Sequence, residues 1–356
     1  MGIYYVVVAL LVLSSLRLRR NVDATACLAP SQTVCINGIC ILLVFVAHIG
    51  HVLLQPMGYE MSSVLDRVYL KIHCTCGQLI VVPFLFYSGY GVATQMMTKP
   101  GYLAGFLRSR VLTLWLNYLV AMVLFLLVTV AFVEPVRGVD ILKSLVFLQS
   151  FDSPKWFLFC TMASYVVVWL AFKLSPNKLC ISATCIGGML LYIGVVSRYR
   201  PLFWYDTALM FPIGVLVALY KGEVFSLLSK RYWTLVVVLS ITFLLLLFKL
   251  PRFYFGVYGA CLRTNLLGAM LMALIVLFTM RICVANKLFL WLGKHVFPIY
   301  VYHLLFFLCA KTFVRQPVRG GGHLLVMSIF ALTLVTAYLY RFWRIDTQRI
   351  GNKVII

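Results

Sequence analysis

Asn37-Gly38-Ile39-Cys40-Ile41-Leu42-Leu43-Val44-Phe45-Val46-Ala47-His48-Ile49-Gly50-His51 belongs to a run, residues 35–59, that holds no acidic or basic residue other than its two histidines. As a helix at 1.5 Å per residue, 35–55 is about 31 Å long, the thickness of a bilayer's hydrocarbon core. Only a structure that satisfies its own backbone can occupy that core, so the run reads as a membrane-crossing helix. Similar runs recur from end to end. Of the 356 residues, 63% are hydrophobic and 11% charged, with a mean hydropathy of +1.01. A soluble domain of this length needs a charged shell that these residues cannot build.

The expected fold is therefore an all-α polytopic membrane bundle of about eleven transmembrane helices. Their approximate spans are 3–16, 35–55, 77–97, 111–133, 156–174, 180–197, 205–220, 232–249, 265–281, 288–309 and 323–341. Residues 1–356 form one integral membrane domain with an extra N-terminal helix in 1–20 and a last helix and tail in 323–356. Arg17, Arg19 and Arg20 directly follow the first run, the reverse of a cleaved signal peptide. The N-terminus is then outside and the tail from Arg341 to Ile356 cytoplasmic. The basic residues are biased toward the segments this topology places in the cytoplasm.

The net charge of +22 is read as basic loops facing anionic lipid headgroups, not as a nucleic-acid surface, because the basic residues are scattered among loops. Eleven cysteines, most inside apolar runs, form neither a disulfide framework nor a zinc site. No metal is expected. The segments 56–76, 134–155 and 250–264 read as long outer loops. They carry Glu60, Asp66, Glu134, Asp140 and Asp152, and suggest that a polar substrate is handled there.

Ionisable residues within spans are costly and so are functional candidates. His48 lies roughly 20 Å along its helix from Cys35, nearer the outer surface. A neutral imidazole there can take a proton from a hydroxyl, although a lone histidine also suits a hydrogen-bonded core. His51 shares its face. Pro83-Phe84-Leu85-Phe86-Tyr87-Ser88-Gly89-Tyr90-Gly91 can bend a helix or bring a ligand close, or simply pack small residues against a neighbour. Phe106-Leu107-Arg108-Ser109-Arg110 opens a helix with two arginines, suited to phosphate or to anchoring at the membrane surface. In Trp291-Leu292-Gly293-Lys294-His295-Val296-Phe297-Pro298-Ile299-Tyr300-Val301-Tyr302-His303, the residues Lys294, Tyr300 and His303 could line an internal cavity.

The order of these segments resembles the acyltransferase-3 family of bacterial membrane proteins, which O-acylate O-antigen, capsule, peptidoglycan and other glycans. The run from Asn37 to His48 is similar to the family's basic-Gly-Ile stretch ending in an essential histidine. Pro83 to Gly91 resembles its Ser-Gly-aromatic segment, and Phe106 to Asn117 its arginine motif. Lys155-Trp156-Phe157-Leu158, Phe211-Pro212-Ile213-Gly214 and Leu292 to His303 are similar to later landmarks, so the likeness runs over 32–310. Asn37 stands where the family has a basic residue, Thr113 where its second arginine-motif base is expected, and Asn117 near its usual proline.

The resemblance implies a membrane O-acyltransferase of the bacterial inner membrane. An acyl-CoA, most simply acetyl-CoA, would bind from the cytoplasm at Arg108 and Arg110, with Ser88 and Gly89 along its path. A glycan or lipid-linked saccharide would meet His51, Trp156, Tyr300 and His303. His48 would act as general base or carry the acyl group itself. If basic groups at 37 and 113 hold coenzyme phosphates, this chain must find substitutes, such as Arg108 or the cluster Arg17, Arg19 and Arg20. The rival readings are a secondary transporter or lipid-linked glycan exporter using the same polar residues, and a catalytically reduced relative.

Overall fold

Each apolar run becomes helical in the computed structural model, which describes all residues except 24–25, 150, 152–154, 252–253, 255, 315–321 and 348–356. The runs differ in how much membrane they can cross. α1 (Ile3–Ser14) precedes a short strand, β1 (Leu16–Leu18), and α2 (Pro30–His48) continues into a π-helical turn, Ile49–Leu54. α3 (Val64–Cys76), a 3-10 turn (Gly77–Val81) and α4 (Val82–Thr98) form one stretch of 35 residues. α5 (Tyr102–Phe106) joins α6 (Thr113–Phe132) through a second π-helical turn, Leu107–Leu112, and a short α7 (Gly138–Leu145) follows.

Next come α8 (Lys155–Leu174), α9 (Lys178–Val196), α10 (Met210–Leu219), α11 (Lys221–Lys230), α12 (Tyr232–Phe248) and α13 (Gly256–Arg281). After β2 (Ile282–Val284) the chain ends in α14 (Lys287–Lys294), α15 (Val296–Phe313), α16 (His323–Leu339) and a 3-10 turn (Tyr340–Phe342). β1 and β2 pair antiparallel, Leu16 opposite Val284, and tie the first helix to the end of α13.

Among the described residues, eight helices are long and apolar enough to cross a membrane, and the pair α10–α11, bent by 91°, would be a ninth. α1 and α12 are apolar but shorter, at 12 and 17 residues. Three expectations need correction. The span expected at 205–220 is only the ten residues of α10, about 15 Å of helix, before the chain turns sharply. The span expected at 288–309 breaks at His295, so Lys294 ends α14 and the crossing helix is α15. The loop expected at 56–76 is largely α3, started by a capping box in which Ser63 and Asp66 satisfy each other's backbone. Asp66 is buried there, paired with the Met1 ammonium group and accepting from Tyr59.

Close backbone approach sets the bundle's centre. A Cβ on Gly89 would run into the Phe211 carbonyl, and one on Gly214 into the Phe86 carbonyl, so α4 and α10 meet where only glycine fits. Gly38 against Phe289, with Gly293 against Val34, locks α2 to α14 in the same way. Hydroxyls inside the spans stay satisfied by bonding to the carbonyl four residues back, as Thr129, Ser164 and Thr333 do.

Candidate active site

Two of the motif segments fall on the two π-helical turns. The turn after His48 leaves backbone groups out of the regular ladder, and one buried side chain collects them. The Tyr69 hydroxyl accepts from Gly50 N–H at 2.9 Å and faces the carbonyls of Val46 and Ala47 at 2.9 and 2.6 Å. Gly50 is required beside it, because a Cβ would strike the Tyr69 ring. α3 thus props the end of α2, and the prop fixes where His48 sits.

His48 faces His303 of α15. His48 Nδ1 lies 2.8 Å from His303 Nε2, and His303 Nδ1 lies 2.7 Å from the carbonyl of Ile299. A carbonyl can only accept, so His303 carries its proton on Nδ1 and, when neutral, presents a lone pair at Nε2. His48 must then donate from Nδ1, which leaves its own Nε2 as the basic nitrogen. His303 is fully buried, with Phe45 and Phe307 against its ring. His48 is only partly buried and lines a cavity. The arrangement is an imidazole oriented by a second imidazole that is itself oriented by backbone, and it can serve as a base.

That cavity, about 780 Å³, also takes His51, Gln55, His73, Gln78, Trp156, Arg263 and Tyr300. His51 and His73 have ring centroids 5.6 Å apart, and Arg263 Nη2 donates to the carbonyl of Leu247 at 2.9 Å. Among the described residues, no acidic side chain lines it. Of the outer-loop acids, Asp66 is buried as described, and the Arg137 guanidinium, 2.9 Å from Asp140, holds that carboxyl below its ordinary range. Asp152 lies outside the described residues.

A second cavity, about 480 Å³, is lined by Arg110, Tyr165, Lys294, Pro298, Arg341, Arg344 and Asp346, among others. α8 relates the two. Trp156 faces the histidine cavity and Tyr165 the basic one, nine residues and about 14 Å apart along the helix. On α15 their lining residues lie only two apart in sequence: Pro298 lines one and Tyr300 the other. The buried Tyr300, on the histidine cavity, is edge-on to Phe157 at 5.4 Å, and Tyr165, on the basic one, is bonded to Ser88 at 3.0 Å.

The structure brings His48, His51, Trp156 and Tyr300 together in one cavity and Arg110 into the other. His303 stands behind His48 instead of facing a ligand, and Gly89 is spent on helix packing. Ser88 reaches the basic cavity only through Tyr165, and Arg108 lines neither cavity. Arg17, Arg19 and Arg20 line neither, and Asn37 has its side-chain oxygen buried without a hydrogen-bond partner. Sequence reasoning missed His73 and Arg263 because both were assigned to outer loops. Arg263 inside the apolar α13 was the available signal.

A family profile described as an acyltransferase domain matches residues 35–342. The chain belongs to the acyltransferase-3 family. The acyltransferase-3 match takes in both histidines, both π-helical turns and α16, farther than the motifs at 32–310 reached. It leaves out α1, β1 and the residues after Phe342. No curated protein and no solved structure is significantly similar to this acyltransferase.

Proposed function

We infer that this membrane acyltransferase moves an acyl group, most simply acetyl, from acyl-CoA in the basic cavity to a hydroxyl of a glycan, or of its lipid-linked precursor, in the histidine cavity. The observation that carries the reading is the chain Ile299 carbonyl–His303–His48, which ends in a basic Nε2 on a ligand-sized cavity. The basic cavity faces the cytoplasm, the N-terminus lies outside, and the membrane is a bacterial inner membrane. The positive-inside bias supports this orientation.

The transfer balances with these groups alone. His48 Nε2 takes the acceptor's O–H proton as its oxygen attacks the thioester carbonyl. The tetrahedral intermediate collapses with cleavage of the C–S bond, and the same Nε2–H returns the proton to the departing thiolate. His303 holds His48 in the tautomer that can start the step, as an orienting group does in other base-assisted acyl transfers. The thioester reaches His48 past Tyr300 and Phe157, while the nucleotide stays at Arg110.

Purified protein in vesicles, supplied with labelled acetyl-CoA and a glycan acceptor, provides the test. Labelled ester should form with the native chain and disappear with His48→Ala. Full ester formation by His48→Ala defeats the reading. The 91° break between α10 and α11 is the one feature that favours a substrate carrier instead, since broken helices mark transport sites. No residue of α10 or α11 lines either cavity. Glycan movement without ester would nevertheless decide for the carrier.

A further inference from the structure

Thr113 and Asn117, the positions where the arginine motif departs from its family, have a different task in this structure. Asn117 is buried on α6 and uses all four hydrogen-bonding positions of its amide. Nδ2 donates to the carbonyls of Thr113 and Ile345 at 2.7 and 2.8 Å, and Oδ1 accepts from Ile345 N–H at 3.0 Å and from the Tyr340 hydroxyl. Its two-way exchange with Ile345 imitates one step of strand pairing. Thr113 Oγ1 meets Thr347 Oγ1 at 2.7 Å, and Thr347 Oγ1 donates to the Arg108 carbonyl at 2.8 Å. Trp343 Nε1 donates to the hydroxyl of the buried Tyr302 at 3.1 Å. The segment from Tyr340 to Thr347 is thus clipped across the basic cavity.

So held, it places Arg341 and Arg344 in the same wall as Arg110 and Lys294, against one acidic lining residue among the described ones, Asp346. Two of the guanidinium groups are also braced: Arg341 Nη2 donates to the Tyr338 hydroxyl at 2.9 Å, and Arg110 Nε to that of Tyr102 at 3.1 Å. One arginine at a helix end is a membrane anchor. Four cations converging on one concavity match a ligand with several phosphates, and arginine forks suit phosphate oxygens.

We propose that Arg341 and Arg344 are phosphate-binding residues of the acyl-donor site, delivered by the clipped segment and replacing the basic group absent at Thr113. The proposal rests on the placement of acyl-CoA in the basic cavity. The segment straddles the end of the family match, with Arg341 inside it and Arg344, Ile345 and Thr347 beyond it. The phosphate of an anionic lipid headgroup has the same chemistry. The nucleotide is the better fit, because the cavity runs inward to Tyr165 and Pro298, where a donor must arrive to pass its acyl group on.

The test uses the full-length protein in phosphatidylcholine nanodiscs and coenzyme A itself, whose free thiol cannot react, with binding read by calorimetry. Arg341→Gln and Arg344→Gln should each weaken binding by roughly tenfold, more at low ionic strength than at high. Lysine at either position should restore part of the loss. Asn117→Leu, which frees the segment without removing a charge, should weaken binding to a similar extent. The arginine variants should keep their melting temperature without ligand. Native-strength binding by both arginine variants, with the native chain binding normally, overturns this assignment and leaves the His48 reading intact. Absence of binding by the native chain overturns the donor placement as well. In phosphatidylglycerol nanodiscs, arginine variants that bind coenzyme A normally but retain less phosphatidylglycerol would show a headgroup site, and the assignment would fall.

Discussion

The two cavities are built by opposite means. The histidine cavity takes its key group from a buried, hydrogen-bonded pair of rings whose geometry is fixed by backbone, aromatic packing and the Tyr69 prop. The basic cavity takes its character from exposed cations on helix ends and on a clipped terminal segment. The first kind of site depends on position to a fraction of an ångström, because proton transfer is steep in distance and tautomer. The second depends on the sum of charges, which screening softens and a neighbouring arginine can replace. On the proposed reading, a threonine in place of a base at 113 is therefore tolerable in a way that loss of His48 would not be.

Substitutions should divide along that line. The largest effect is expected from His48→Ala, which should lower transfer by about 10³-fold or more while leaving coenzyme A binding within a factor of two. Equal losses in both assays would erase the distinction between the cavities. His303→Ala should come next, with kcat falling on the order of 10²-fold and KM little changed, because His48 loses the partner that fixes its tautomer. The acid limb sharpens this. Transfer by the native chain should fall as pH drops and His48 gains its second proton, since a protonated ring cannot accept one, and His303→Ala should move that limb.

Arg110→Gln should raise the KM for the donor by roughly tenfold, with kcat unchanged and the difference shrinking at high salt. A kcat loss that salt leaves unchanged would mean that Arg110 acts in the chemistry. The smallest effect on transfer is expected from Gly214→Ala, which strikes the Phe86 carbonyl at a place that lines neither cavity. Overpacking there should cost about 1–3 kcal/mol and appear as a lower melting temperature.

Most of the helical order was legible in the sequence, because an apolar run of bilayer length has few alternatives in lipid. His48, a costly group in such a run, was singled out for a related reason, and the structure places it on a cavity wall. The failures share a cause too. The break at His295 and the turn after α10 depend on contacts between helices far apart in sequence, such as Gly214 with Phe86, and hydropathy averages over them. His303 was taken for a cavity-lining group, since nothing local says that its Nε2 meets a ring 255 residues away. Asp66 looked like a loop acid because the run that buries it is amphipathic, not apolar. Asn117 looked like a defect in a motif, and its four hydrogen bonds are visible only when residues 340–347 fold back over it.

The wall at Tyr300 and Phe157 bears on the membrane as an insulator. A voltage of 100 mV favours the leak of each unit charge by about 2.3 kcal/mol. An open water-filled bore from Arg110 to His48 would short-circuit that voltage through every copy of the protein. On the proposed reading, Tyr300 of α15, two residues from Pro298 of the basic cavity, and Phe157 of α8 edge-on to it instead confront a hydrated ion with an oily constriction. A slim carbon chain ending in a thioester can slip between such rings, so the proposed transfer would let a small organic fragment cross while the electrical seal holds.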